Sequence, residues 1–429
     1  MQKLHLGVAR ADITPKIGAN LVGYMPDFPS ESIHDNLDAT AFVFRQGDNL
    51  SVLIGCTVAV FQKAFVMEMQ KQIEAETGVP AANIIMAITH THTGPFTGPY
   101  LDRDYCDNIF KPRVLAAVKQ AKANLQPVTM GYACGDSYVA INRREPRQRD
   151  NKIVLGQCPW GPFDPRMTVI TFKNAEGKMV GSLVHYGCHG TAAGMSSAIS
   201  QDWSGVMVRR LEDITDAPVA FVVGVLGDVG PRLTNGQTTG NMEYVEELGG
   251  VAAQDATRIF KSITQYTHCD MKCATGQVRL PLKKRVSLEE AQQQVAAYTG
   301  LEYTADIMMR EHFEQVVDSY ENGYQEKDAH FEDQTLLRIG NIVFATFGYE
   351  IFSEIGLRIQ KECKDLVVLP LSYGNGGSGY FPTQSALAFG SDLGGYEVQM
   401  FRIANIQEYV DDADYHLICS TLENIEKVK

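Results

Sequence analysis

His90 and His92 stand one threonine apart where the apolar run "NIIMAI" gives way to "THTHTGP". Imidazole ligates metals and moves protons near neutral pH. On an extended segment, residues i and i+2 leave the backbone on the same side. This spacing therefore allows a shared metal ion or a proton-transfer pair. Other strand-like runs also end in polar groups: His189 after "GSLVHYGC", Asp228 after "VAFVVGVL", Glu350 after "IVFATFGY", and Tyr380 in the glycine-rich "GNGGSGYF". In sheet-based enzymes such positions gather into one crevice. Histidines, a carboxylate and an open position make a catalytic zinc site. Zinc lowers the pKa of water to about 7 and so supplies hydroxide at neutral pH.

The pair is not specific on its own. Metallo-β-lactamase-type sites follow it with Asp-His, where this chain has Thr93-Gly94-Pro95. Amidohydrolase barrels place it after their first strand, whereas at least three strand patterns precede it here. The glycine-rich loop has no GK[ST] after it and opens no helix with GxGxxG, so it reads as backbone that comes close to a ligand. His34, His185, His268, His312, His330 and His416 read as structural. Asp12 and Asp228 either brace the site from behind or hold their loops, and Asn142 holds the turn before Arg143.

The elements that must position these groups alternate between strands and helices. "ATAFVFRQ" and "SVLIGCTVAVF" pair across Gly47-Asp48-Asn49, and a helix follows with Phe65, Met69 and Ile73 on one face. A second helix runs from about Tyr105 to Leu125. "MTVITFKNAEGKMVGSLVHYGCHG" is a hairpin, a helix begins near Asp202, and "VAFVVGVLGD" is a strand buried on both faces. The expected fold is α/β (mixed α+β): a mixed β-sheet core flanked by helices, with a metal site on strand-end loops. It forms one domain over residues 1–429 with a helical insertion at about 270–335 and no C-terminal sandwich domain.

Composition narrows the partners. The 38 Lys and Arg against 51 Asp and Glu leave a net charge of −13, which argues against nucleic acid or an anionic membrane surface. No window approaches eighteen apolar residues, so no membrane span is expected. The N-terminus has no apolar signal core, and nine scattered cysteines form no CxxC. A cytoplasmic protein with reduced thiols is expected, secreted or periplasmic if a leader has been removed. A small-molecule substrate is expected; the oligomeric state is left open.

In order along the chain, "GVARADITP", "IHDNLDATAFVF", "THTHTGP", "INRR", "LVHYGCHGT", "GDVGPR", "GYEIFSEIG" and "GSGYF…GGYEV" resemble the N-terminal catalytic domain of the neutral/alkaline non-lysosomal ceramidases, from residue 7 to about 400. The resemblance implies Zn²⁺ held by His90, His189, Glu350 and Tyr380. It places His92 beside the zinc water, and it gives Arg143 and Tyr396 contact with the reacting carbonyl. Two positions depart from the family pattern: Gly230 replaces a serine that lies near the scissile amide, and Gly190 replaces a proline. The implied activity is hydrolysis of an amide (N-acyl) bond in a lipid amide. The alternative keeps the metal and takes a polar substrate, such as a sugar or cyclitol derivative, by hydrolysis or elimination. Tyr100, Trp160 and Phe163 would then serve either an apolar groove or a sugar platform.

Overall fold

The alternation in "DATAFVFRQ" builds two cores at once. Strand Asp38–Gln46 pairs antiparallel with Asn49–Cys56 through the turn at Gly47 and Asp48. It sends Ala41 and Val43 into one buried cluster and Phe42 and Phe44 into another. The computed structural model describes residues 2–25, 27–98, 100–298, 304–403 and 405–429, with the side chains of 304, 305, 391 and 392 outside the description. Among them three larger sheets form. The first orders Ile84–Ile88, Asn49–Cys56, Asp38–Gln46, His5–Asp12 and Gln126–Pro127; the second, Val219–Val223, Met179–Tyr186, Arg166–Lys173 and Thr129–Asp136. The third orders Met271–Pro281, Ala329–Ile339, Ile342–Phe347 and Val367–Ser372.

The three sheets share one core. Phe44 and Ile85 from the first, Phe172 and Val222 from the second, and Phe344 and Leu371 from the third lie in the same buried cluster. Each sheet is mostly antiparallel but has one parallel pair at an edge: Asn49–Cys56 with Ile84–Ile88, Met179–Tyr186 with Val219–Val223, and Ile342–Phe347 with Val367–Ser372. Parallel neighbours put their carboxyl ends on the same side, where open α/β sheets carry their sites. His90, His189, Asp228, Glu350 and Tyr373 all follow such ends. Helices cover the outer faces. Lys63–Thr77 buries Phe65, Met69 and Ile73 as expected, and Asp202–Thr215 buries Trp203, Met207 and Leu211.

The stretch expected as a helical insertion over 270–335 is different at both ends. Met271–Pro281 and Ala329–Ile339 are the two longest strands and pair along their whole length. Polar runs, Thr275-Gly276-Gln277 in one strand and Glu332-Asp333-Gln334 in the other, concealed the alternation that buries Val278 and Leu280. Helices Leu288–Ala297 and Thr304–Glu321 lie between the strands, and 299–303, within the expected insertion, are outside the described residues. Among the described residues no helix is long and apolar enough to cross a membrane.

Candidate metal centre

His90 is not on the strand. Strand Ile84–Ile88 ends two residues earlier, and His90 takes the left-handed conformation with φ 61°. Strand alternation is therefore not what brings His90 and His92 together. Thr91 bridges to Gly190, the His92 amide donates to the Gly190 carbonyl at 3.0 Å, and the two rings meet edge-on with centroids 4.8 Å apart. The contact also explains Gly190. A Cβ there would lie 2.6 Å from the His90 carbonyl oxygen, so these two loops approach too closely for any side chain. His189, carried on the Gly190 loop, comes within 4.7 Å of His90, ring to ring.

The ring nitrogens of His90, His92 and His189 converge within 4.8 Å, a group able to hold a metal. His90 Nδ1 lies 2.5 Å from the Ala59 carbonyl and His189 Nδ1 lies 2.8 Å from the Val229 carbonyl. A carbonyl only accepts, so both Nδ1 atoms carry the proton and both Nε2 atoms turn lone pairs inward. Burial holds His90 down to about 4 and His189 well below the ordinary histidine range, so both are neutral at pH 7. Those lone pairs face a carboxylate: His189 Nε2 is 3.0 Å from Glu350 Oε2, and His90 Nε2 is 3.5 Å from Oε1. His189 Nε2 and Glu350 Oε2 are both buried without a hydrogen bond. Lone pairs aimed at lone pairs repel unless a cation lies between them. The donor set fits a metal.

His92 differs from the other two. Its Nδ1 is buried with no partner, packed against Gly23, and its Nε2 lies 3.2 Å from His90 Nε2. No carbonyl fixes its tautomer.

The other side of the centre comes from the last third of the chain. Glu350 and Tyr380 are register partners in a short parallel pair, so their side chains share a face. Burial raises Glu350, opposed by His90, Arg143 and hydrogen bonds from Tyr373 and Tyr380. Tyr380 Oη meets Tyr396 Oη at 2.7 Å, and Arg143 Nη2 donates to Tyr396 Oη at 2.7 Å. Buried Glu397 pairs with Arg143 at 3.3 Å and Arg144 at 2.8 Å. Tyr373, with its hydroxyl on Glu350, and Glu397 were not selected from the sequence. Tyr373 closes the run "DLVVLPLSY" and meets the same strand-end criterion that selected Glu350.

Asp228 braces no histidine. Its carboxylate accepts from Asn142 at 3.1 Å and from the Ser353 amide and hydroxyl at 2.8 and 2.7 Å, tying together the loops of Arg143 and Glu350. Asp12 is exposed, accepts from the Thr14 amide, and stands away from the centre. A cavity of about 150 Å³ opens over His90, His92, Glu350 and Tyr380, lined on its apolar side by Val22, Val60, Phe96, Tyr100, Met308 and Met400. Trp160 instead projects into solvent at 90% exposure, and Phe163 packs against Tyr138. The space beside Gly230 is filled: a Cβ there would lie 2.7 Å from that of Thr238.

A family model, "Neutral/alkaline non-lysosomal ceramidase, N-terminal", matches residues 4–247. The chain belongs to this family. Neutral ceramidase of Pseudomonas aeruginosa is 24% identical over 269 residues, covering 57% of this chain and 40% of that protein. Neutral ceramidase A of Dictyostelium discoideum is 28% identical over 204 residues, covering 44% of this chain and 28% of that protein. The matches thus span less than half of either relative. The crystal structure of the Pseudomonas aeruginosa neutral ceramidase superposes with a TM-score of 0.71 at 19% identity, covering 100% of this chain and 75% of that one. A structure described as ceramidase complexed with C2 gives 0.72 at 17%, covering 100% and 76%. At these identities the structural likeness is one of fold.

Proposed function

We propose that this chain is a metal-dependent hydrolase of linear amides, with His90, His189, Glu350 and Tyr380 as ligands of one Zn²⁺. The observation that carries the reading is the pair of carbonyl-braced imidazoles whose free lone pairs converge on buried Glu350. Bound there, zinc would lower the pKa of water to about 7 and polarise a carbonyl. His92, free of a carbonyl partner, takes a proton from the attacking water and returns it to the leaving nitrogen. A positioned acid–base of this kind contributes roughly 10² to 10⁴ in rate. Arg143 and Tyr396 donate to the oxygen that gains charge, each on the order of 3 kcal/mol in a site closed to water. Family membership supports the N-acyl bond as target, since the relatives are named neutral ceramidases.

A second reading keeps the residues and exchanges the lipid amide for a polar substrate, cleaved by hydrolysis or elimination. Glu311, His312 and Gln315, grouped with Met308 at the cavity's edge, favour it. Metal analysis tests the shared core of both readings. Purified wild type should hold one zinc per chain, and His90→Ala and His189→Ala should hold none. Stoichiometric zinc in both variants sinks the ligand assignment. A panel of lipid amides, polar amides and glycosides separates the two readings.

A further inference from the structure

We propose that a second bay beside the metal cavity receives a neutral polyhydroxylated part of the substrate, such as a sugar or cyclitol ring. The bay has a volume of about 420 Å³, and Gln62, Lys63, His330, Glu332, Tyr349 and Asn405 line it. It shares Met308 and Ser378 with the metal cavity, so the two spaces are neighbours. The glycine-rich loop "GNGGSG" forms that common wall, which gives this motif a place in binding.

The chemistry of the lining selects the ligand. Lys63 Nζ and Glu332 Oε1 are 3.1 Å apart, with side chains 42% and 11% exposed. Their formal charges cancel. Burial holds His330 below its ordinary value, so it adds no charge at pH 7. A carboxylate or phosphate drawn to Lys63 would face Glu332, and an ammonium drawn to Glu332 would face Lys63. Vicinal hydroxyls, each both donor and acceptor, satisfy the two together, and the side-chain amides of Gln62 and Asn405 supply further donors and acceptors. An alkyl chain would take water from these groups and offer none of them a hydrogen bond in return.

The inference rests on the amide-hydrolase reading for the position of the scissile bond, and the test separates the two. N-acetylglucosamine and N-acetylcyclohexylamine both carry an amide on a six-membered ring and differ in the ring oxygen and hydroxyls. Wild type should favour the first in kcat/KM by about ten-fold or more. Lys63→Met and Glu332→Gln should each cut that preference to near unity. Turnover of both compounds without preference in wild type, or with the preference kept in both variants, overturns the bay alone. Turnover of neither counts against the amide reading. Saturation-transfer NMR with myo-inositol then decides the bay: a signal in wild type that both variants lose supports it, and no signal in wild type overturns it.

Discussion

The two sides of the candidate metal centre are held by different physics. On the histidine side, main-chain carbonyls of Ala59 and Val229 fix His90 and His189, and the close approach at Gly190 locks their loops together. Carbonyls do not titrate, so the tautomer of each neutral ring is set by the main chain and not by neighbouring side chains. On the acid and tyrosine side, Glu350, Tyr373, Tyr380, Tyr396, Arg143 and Glu397 hold one another through side-chain hydroxyls and charge pairs. That network is polarisable and interdependent. Geometry is fixed on one side, and charge is distributed on the other.

The sharpest way to break the comparison lies within the histidine trio. His189→Ala should abolish zinc binding, whereas His92→Gln should keep zinc and lower kcat by roughly 10² to 10⁴. Atomic absorption and steady-state kinetics read both, and zinc loss in His92→Gln would erase the distinction drawn from its missing carbonyl. Next in size is the charge network. Glu397, 2% exposed, is shared between Arg143 and Arg144. Glu397→Gln strands two guanidinium groups and should lower unfolding stability by roughly 3–5 kcal/mol. Arg143→Met should cost less, because Arg144 keeps its partner. Urea unfolding of the two variants gives the order, and equal losses would argue against a shared network.

Titration separates a buried histidine from the buried acid behind the site by sign. His90 sits near 4 in the folded metal-free chain against an ordinary 6.5. Its neutral form therefore stabilises fully above 6.5, and that contribution is lost as pH falls towards 4. Relative to His90→Gln, metal-free wild type should lose on the order of 3 kcal/mol over that window. Asp228, held near 6 by burial, has the opposite sense: its contribution is complete below 3.8 and is lost as pH rises through 6. Stability curves of His90→Gln and Asp228→Asn against wild type should tilt in opposite directions, and parallel curves would refute the assignment. The smallest effect is expected at Gly230→Ser, where contact with Thr238 should cost roughly 1–3 kcal/mol. Thr238→Ala in the same chain should relieve it, and an additive double mutant would show that the two side chains do not meet.

Much of this arrangement was legible from residue types at strand ends. His90, His92, His189 and Glu350 all follow apolar runs, and the structure brings them together because three parallel pairs open to one side. Tyr380 stood out in the glycine-rich loop, and family resemblance added its role as a ligand together with Arg143 and Tyr396, whose positions depend on turns with no periodic signature. What escaped the sequence was backbone geometry. Nothing in "THTHTG" announces that His90 turns left-handed, and strand alternation predicted the right proximity for the wrong reason. The braces on His90 and His189 are carbonyls of Ala59 and Val229, invisible because every residue has one. The strands on either side of the 282–328 segment were missed because the polar runs Thr275-Gly276-Gln277 and Glu332-Asp333-Gln334 hide their alternation.

The two strands that enclose 282–328 place Pro281 and Ala329 opposite each other in register. The chain therefore leaves the sheet and returns to it at a single point. The segment supplies Met308, Glu311 and His312 around the cavity and none of the metal residues. Part of the cavity's rim thus comes from a different piece of polypeptide than the residues proposed to hold the metal. A graft from another family member, joined at those two positions, would exchange that part of the rim and leave the proposed metal residues in place.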